Sequence, residues 1–255
     1  MHKHLGIVEL NGPTNGKSLK RHLARRFGGK SLLEWTVRRI TDCQRLDGVI
    51  AICDETVDDH FLAKTVPPDV PVFRKSSVSP LERLNAALSA HPAEAIVRVG
   101  QETPFVDPAM IDSLVAAAER FPGCDYVGYC SRDGQPVFKS RVGIFAEWCK
   151  TDAIRRAVEL ASSDTDRINS TEFVFSHPEI YQLRFISIPT ELDRGDLRLM
   201  VDGNEDWEHA EAILEALGND DLGWRQIVRL LDHQPSLRKR MAILNHEQAA
   251  KSSPS

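Results

Sequence analysis

Two acidic residues of this sequence stand where a bound metal ion could use them. Glu102 lies just beyond the apolar run 95–97, and Asp202 lies just beyond the run 197–201. Both runs are typical of buried strands, and ligands of α/β sheets bind at the carboxyl ends of the strands. Carboxylate oxygens suit Mg²⁺, which proteins usually hold through one or two carboxylates together with substrate phosphates. The pattern therefore predicts a Mg²⁺ site formed by Glu102 and Asp202.

A polar glycine loop follows the first predicted strand and leads into a basic segment, 19–26. Glycines let the backbone approach a phosphate closely, and lysines supply positive charge. The loop is not a P-loop, because three residues rather than four separate Gly12 from Gly16. The residues predicted to bind phosphate are Gly12, Asn15 and Gly16, and those predicted to offset its charge in catalysis are Lys17, Lys20 and Arg21. A solvated basic turn is the alternative interpretation.

An arginine precedes each of the two acids by four residues, at Arg98 and Arg198. Together with the loop and the carboxylates, they suggest a nucleotidyl-transfer site, where metal and lysines offset charge on the α-phosphate and the leaving pyrophosphate. We predict that Arg98 contacts the nucleotide and that Arg198 contacts the second substrate. A simpler interpretation stays open, in which each arginine pairs with a nearby acid and Glu102 is an ordinary turn residue.

Strand and helix patterns alternate along the chain. Predicted strands span 5–10, 49–53, 70–73, 95–97, 126–130, 142–146, 181–188 and 197–201. Predicted helices span 32–40, 57–66, 80–88, 108–116, 153–161, 204–217, 227–231 and 237–244. Ser31, Asp107 and Asn204 are the expected N-caps of three of these helices. The alternation with short connections predicts an α/β fold with a mostly parallel sheet covered by helices on both faces.

Bulk properties narrow the function class. The chain has 255 residues and a net charge of −5, which argues against a nucleic-acid partner. The sequence has no apolar run of the roughly 18 residues that a membrane helix needs, and its start shows no signal-peptide core. The five cysteines include no CxxC pair, which favours reduced thiols and a cytoplasmic location. We expect a main domain at 1–217, a helical extension at 218–250 and a disordered tail at 251–255.

Four stretches resemble the spore-coat polysaccharide type of cytidylyltransferase, a family related to CMP-sialic acid synthetases and 3-deoxy-manno-octulosonate cytidylyltransferases. GGKSLLEW at 28–35 resembles the family's GGKPLLEW. PVFRKS at 71–76 and LER at 81–83 resemble PVFRGS and VLERY. RVGQETPFVDP at 98–108 resembles RITGDCPLIDP, and LRLMVDGNED at 197–206 resembles LRLTVDTPED. The similarity runs from Gly6 to Leu217, and the order and spacing of the stretches match.

This resemblance implies a Rossmann-like nucleotidyltransferase fold, CTP as donor, Mg²⁺ as cofactor and a homodimer. A sugar hydroxyl would attack the α-phosphate of CTP and release pyrophosphate. Glu102 takes the place of the family's metal-binding aspartate, and Asp202 matches its second metal acid. Glu147 matches an acid near the sugar. The nucleotide contacts implied outside the first loop are Arg74, Ser76 and Arg83.

The sequence departs from the family pattern at four positions. Pro13 and His22 replace an arginine and a lysine of the first loop. Asn169 replaces a histidine, and Glu102 is longer than the usual aspartate by one methylene. Two alternatives to a cytidylyltransferase follow: an impaired relative that binds nucleotide or sugar without turnover, and a metal-dependent glycosyltransferase. The latter would need an Asp-x-Asp triplet at the end of a strand, and none of the predicted strands ends in one.

Overall fold

The computed structural model describes residues 1–10, 23–76, 79–138, 140–167, 169–219 and 221–252. The predicted phosphate loop, 11–22, therefore lies outside the described residues, as does most of the predicted tail. Within the described ranges, no helix is both long and apolar enough to span a membrane.

The core of the fold is a seven-stranded mixed sheet in the order β5-β4-β1-β6-β8-β7-β9, beside a short hairpin of β2 and β3. The strands are β1 His2–Leu10, β2 Arg26–Phe27, β3 Lys30–Ser31, β4 Gly48–Cys53, β5 Val72–Arg74, β6 Ala93–Gly100, β7 Tyr126–Cys130, β8 Glu147–Lys150 and β9 Leu183–Ser187. The strands of the large sheet run parallel except β8, which is antiparallel to both β6 and β7. The prediction of a mostly parallel sheet is confirmed.

Helices cover both faces of this sheet. They are α1 Leu32–Thr41, α2 Asp59–Thr65, α3 Pro80–Ala90, α4 Pro108–Arg120, α5 Thr151–Leu160, α6 Asp164–Arg167, α7 Glu172–Ser176, α8 Asn204–Leu217, α9 Trp224–Asp232 and α10 Pro235–Ser252. Alternate residues of β1 enter two different apolar clusters: Val8 packs with α1 and α4, and Ile7 packs with α3 and α5. Side chains alternate across a strand, so β1 is buried on both faces, as a central parallel strand must be.

The turn after β6 is fixed at both ends. The Thr103 hydroxyl donates to the Gly100 carbonyl over 2.7 Å at the end of β6. Asp107 then caps α4, where its carboxylate accepts the Met110 N–H over 3.1 Å. The predicted cap is confirmed, and Glu102 is presented on a short turn between a buried strand and a capped helix.

Two predicted strands are absent from the sheet as described. Segments 142–146 and 197–201 belong to no strand and make only isolated backbone contacts, such as the Leu199 N–H to the Arg141 carbonyl at 3.1 Å. Leu197, Leu199 and Val201 are each at most 2% exposed. The apolar residues of these segments therefore reflect burial, which does not require a hydrogen-bonded ladder. As a consequence Asp202 does not end a strand, and Glu147 begins β8 instead of following a strand.

The close approach of these two segments requires a glycine. Gly143 has a φ of +70°, and a Cβ placed on it would lie 2.5 Å from the Met200 nitrogen. The expected cap of α8 is also displaced by one residue: Gly203 precedes the helix, and Asn204 is its first residue.

We expect Asp107→Ala to lower the free energy of unfolding by about 2–4 kcal/mol, measured by urea denaturation. Asp107 is 3% exposed, and its carboxylate also accepts the Trp224 N–H over 2.9 Å. The substitution removes a helix cap and leaves a buried donor without its acceptor, which cost about 0.5–2 and 1–3 kcal/mol. Asp58→Ala, at the exposed cap of α2, is the matched control and should cost about 1 kcal/mol. Equal losses in the two variants would contradict the role of Asp107 in joining α4 to α9.

Candidate functional site

A buried ionic network joins three neighbouring strands below the site. Arg98 on β6 donates from Nε to Glu9 of β1 over 2.7 Å and from Nη1 to Glu147 of β8 over 2.6 Å. The three residues are 8%, 4% and 0% exposed. Burial by itself would lower the pKa of Arg98, but the two carboxylates outweigh this effect and raise it. The simpler interpretation, that Arg98 pairs with nearby acids, is confirmed, and its contact with a nucleotide stays a prediction.

Hydroxyl groups complete this network. Glu147 accepts from Thr171 over 2.5 Å and from Tyr126 over 2.8 Å, and Glu9 accepts from Ser170. Burial, together with the Glu147 carboxylate, holds the pKa of Tyr126 well above its usual value. Both carboxylate oxygens of Glu147 therefore have protein partners. Its role near a sugar stays a prediction, while its observed contacts tie the segment around Thr171 to the sheet.

Glu102 and Asp202 lie on adjoining segments, and their predicted sharing of a metal ion stays a prediction. The Val201 N–H donates to the Glu102 carbonyl over 2.8 Å, which joins the two segments through the backbone. Burial raises the pKa of the Glu102 carboxyl, and the charge of Asp202 raises it further. The Gln101 amide donates to Glu102 over 3.1 Å and partly offsets this effect. The acids thus interact electrostatically although only Glu102 follows a strand.

Arginines and a buried acid hold Asp202 in place. Its carboxylate accepts from Arg198 Nη2 over 3.0 Å and from Arg141, and 30% of its side chain is exposed. Arg198 also pairs with Asp206 through two parallel hydrogen bonds, of 2.5 and 2.9 Å. Burial and the neighbouring carboxylate of Asp206 raise the pKa of Asp202. The pairing of Arg198 with nearby acids is confirmed, and its contact with a substrate stays a prediction.

The donor chemistry of this acidic pair fits Mg²⁺. Both groups offer carboxylate oxygens, and burial together with a neighbouring carboxylate raises the pKa of each, a cost that a bound cation would relieve. Among the described residues, no cluster of three or more His, Cys, Asp or Glu could hold a metal. An ion here would therefore need oxygens from phosphate and water to complete its shell, which is the usual mode for Mg²⁺.

The other predicted nucleotide residues lie near the ends of β4 and β5. Arg74 donates to the carbonyls of Glu55 and Val57, each over 2.7 Å, and pairs with Asp59. Arg83 is buried 3.7 Å from Asp54, while Ser76 is exposed. An open groove of about 720 Å³ runs beside them; its lining includes Glu55, Phe73, Arg74, Lys75, Glu82 and Asn85. The structure brings these residues to the carboxyl edge of the sheet, and their contacts with CTP stay predictions.

Three residues of the site were missed by the sequence patterns: Glu9, Arg141 and Asp206. Glu9 had a usable signal, because an acid inside an apolar strand needs a buried partner. Asp206 had a weaker signal as an acid in the first turn of a helix. Arg141 had no signal, because it reaches Asp202 across a turn whose course depends on the tertiary fold.

Comparison with known proteins places this geometry in a family. The family model described as cytidylyltransferase matches residues 16–192. The spore coat polysaccharide biosynthesis protein SpsF of Bacillus subtilis (strain 168) is 26% identical over 218 residues, covering 83% of this chain and 87% of that protein.

Two solved structures show the same fold. A cytidylyltransferase from Leptospira borgpetersenii superposes with a TM-score of 0.76 at 18% identity, over 92% of this chain and 95% of that one. A CMP:2-keto-3-deoxy-manno-octonic acid synthetase complexed with CTP superposes with a TM-score of 0.62 at 11% identity, over 84% of this chain and 99% of that one. The predicted nucleotidyltransferase fold is confirmed.

We expect Glu102→Gln to stabilise the metal-free protein at neutral pH by about 0.5–2 kcal/mol, the usual gain from a single stabilising substitution. The folded-state pKa of Glu102 is raised above its ordinary value of 4.5, so the unfolded chain loses this proton first as the pH rises. The wild-type free energy of unfolding therefore falls, relative to the variant, from pH 4.5 up through the raised pKa. Urea denaturation with a chelator at pH 4 and pH 7.5 should show the difference only at the higher pH. A variant that is less stable than wild type at pH 7.5 would contradict this.

Proposed function

The chain belongs to the cytidylyltransferase family, and on that premise we propose that it transfers CMP from CTP to a sugar hydroxyl and releases pyrophosphate. The observation that carries the proposal is the joining of Glu102 and Asp202 at the end of β6, where the Val201 N–H meets the Glu102 carbonyl. Two interacting carboxylates with raised pKa values are suited to a divalent cation and a triphosphate.

The two acids would hold Mg²⁺ in this reaction. Bound there, the ion would offset negative charge on the α-phosphate and on the leaving pyrophosphate. Arg141 and Arg198 keep the Asp202 carboxylate oriented. Glu102 needs no such support because the turn that presents it is fixed by the end of β6 and the start of α4.

The remaining contacts with CTP are assigned to two regions. In the first loop, backbone groups of Gly12, Asn15 and Gly16 would hold the triphosphate, and the cations Lys17, Lys20 and Arg21 would offset its charge. Around the ends of β4 and β5, Arg74, Ser76 and Arg83 would contact the rest of the nucleotide. Arg98 and Glu147 would support the nucleotide and sugar subsites from the buried network.

The acceptor class follows from the named relatives. One acts in spore coat polysaccharide biosynthesis, and another is a synthetase for a CMP-linked sugar acid that was solved with CTP. We therefore propose an acidic sugar or another sugar of a surface polysaccharide as acceptor. A cytoplasmic homodimer is the proposed form of the enzyme, and equilibrium sedimentation tests the dimer.

A catalytically impaired relative is the second candidate. Pro13 and His22 stand where the family has an arginine and a lysine, and Asn169 stands where it has a histidine. Binding draws on many distributed contacts, whereas turnover depends on charge placed where it develops, and one lost donor there costs about 10²–10³ in rate. We therefore expect CTP binding to be retained better than turnover. Pyrophosphate release from CTP and a panel of sugars separates the two candidates.

For the active enzyme, we expect Glu102→Gln and Asp202→Asn each to lower kcat by about 10²–10³. Each variant keeps the shape of the side chain and removes a charge that the bound cation needs. Pyrophosphate release with CTP, Mg²⁺ and sugar measures the loss. Asp69→Asn, in an exposed pair with Arg38, is the control and should keep wild-type activity. Wild-type rates in the two site variants would rule out the acidic pair as the metal site.

Lys17→Ala should weaken CTP binding by about 10–100-fold, measured by calorimetry, because a charge-assisted hydrogen bond contributes about 1.5–3 kcal/mol. Lys3→Ala removes a lysine that pairs with Glu119 at the opposite edge of the sheet and should leave CTP affinity unchanged. An unchanged affinity for Lys17→Ala would transfer the role to Lys20 or Arg21.

A further inference from the structure

We propose that the C-terminal helix α10 is part of the catalytic site: Asn245 and Gln248 act as positioning residues that hold Arg198 and thereby orient the Asp202 carboxylate. This role depends on the proposed function, in which Asp202 holds the metal. The family model ends at residue 192, so α10 lies well beyond the matched region.

Every N–H donor of the Arg198 guanidinium has a protein acceptor. Nε and Nη2 donate to the two oxygens of Asp206, over 2.5 and 2.9 Å, and Nη2 also donates to Asp202 over 3.0 Å. Nη1 donates to Gln248 over 2.9 Å and to Asn245 over 3.3 Å. An arginine has five such donors in a rigid plane, so two of the five are held by α10. The Arg198 side chain is 4% exposed, so the guanidinium itself is shielded from water.

Asn245 also connects α10 to the segment that leads into Asp202. Its Nδ2 donates to the Gly195 carbonyl over 2.9 Å and to the Leu197 carbonyl over 3.0 Å. The same amide group therefore contacts the backbone just before Arg198 and the guanidinium itself. Because an amide presents donors and an acceptor in one plane, it fixes both parts relative to each other.

Asp206 supplies the other half of this arrangement. Besides Arg198, it accepts the backbone N–H groups of Asp202 and Gly203, over 3.2 and 3.1 Å. Asp206 thus contacts the backbone at Asp202, while Arg198 holds one oxygen of its carboxylate and Arg141 the other. Only α10 and Asp206 restrain the guanidinium apart from Asp202 itself, among the contacts the structure describes.

Asp202 depends on such support because no strand carries it. The segment 197–201 forms no ladder, so regular backbone pairing does not fix the direction of the carboxylate. Ligating carboxylates are commonly oriented by outer residues, whose loss costs about 10–100-fold in metal affinity or activity. Gln248 and Asn245 are outer residues of this kind, because they contact Arg198, which in turn contacts Asp202.

The test compares Gln248→Leu with two matched variants. Gln248→Leu removes the acceptor but keeps a good helix former. Gln248→Glu restores an acceptor oxygen and is the rescue variant. Glu247→Leu makes the same new side chain one residue earlier, at an exposed position, and controls for general effects on α10.

We expect Gln248→Leu to lower kcat by about 10-fold or more while KM for CTP changes less than about twofold. Gln248→Glu and Glu247→Leu should stay within about threefold of wild type in both parameters. A merely structural role of α10 would instead lower the melting temperature and the active fraction with Mg²⁺ dependence unchanged. For this reason the Mg²⁺ concentration that gives half-maximal rate is measured too, and it should rise only for Gln248→Leu.

Amide hydrogen exchange provides a readout that needs no turnover. Exchange at Asp202 and Gly203 should become faster in Gln248→Leu and stay at the wild-type rate in Glu247→Leu. If the wild-type protein releases no pyrophosphate, the proposed function is wrong. Hydrogen exchange still tests the positioning role in that case. If folded Gln248→Leu has the wild-type kcat, the inference is wrong. It is also wrong if exchange at these two amides is unchanged in that variant.

Discussion

The architecture depends on the buried ion pairs of Arg98 with Glu9 and Glu147. Removing three charges from water costs several kcal/mol per ion, and only close pairing with further hydrogen bonds repays this cost. The two carboxylates meet the guanidinium at 2.7 and 2.6 Å, and hydroxyls of Ser170 and Thr171 satisfy further lone pairs. These contacts require β1, β6 and β8 to lie side by side in one register. Arg98 and Glu147 lie directly opposite each other in the antiparallel ladder of β6 and β8.

The candidate site lies directly above this buried network of Arg98, Glu9 and Glu147, called the frame below. Its two acids are held in different ways. Glu102 follows β6, the strand that carries Arg98, so the main chain positions it. Asp202 belongs to an irregular segment and is positioned by side chains, chiefly Arg198 and Arg141. One backbone hydrogen bond, from the Val201 N–H to the Glu102 carbonyl, joins the segments that carry the two acids.

The candidate site and the frame differ in how their charges are balanced. In the frame, opposite charges lie together and raise the pKa of Arg98. In the site, burial and like charge raise the pKa values of Glu102 and Asp202, so the metal-free protein bears a cost at neutral pH. Such a cost is common at functional sites, where binding of a ligand relieves it.

The sequence by itself determined the α/β alternation, the caps at Ser31 and Asp107, the place of Glu102 after β6, and the family motifs. Each of these depends on neighbours within a few residues, so local patterns contain the needed information. Only the tertiary structure decided which acids pair with Arg98, that segment 197–201 stays outside the sheet, and that α10 contacts Arg198. A short buried apolar run looks the same in a sequence whether or not it pairs in a sheet. Partners 47 and 50 residues apart, such as Arg198 with Asn245 and Gln248, leave no local pattern. These contacts depend on the tertiary packing, because a buried guanidinium must bond to whichever acceptors the packing places beside it.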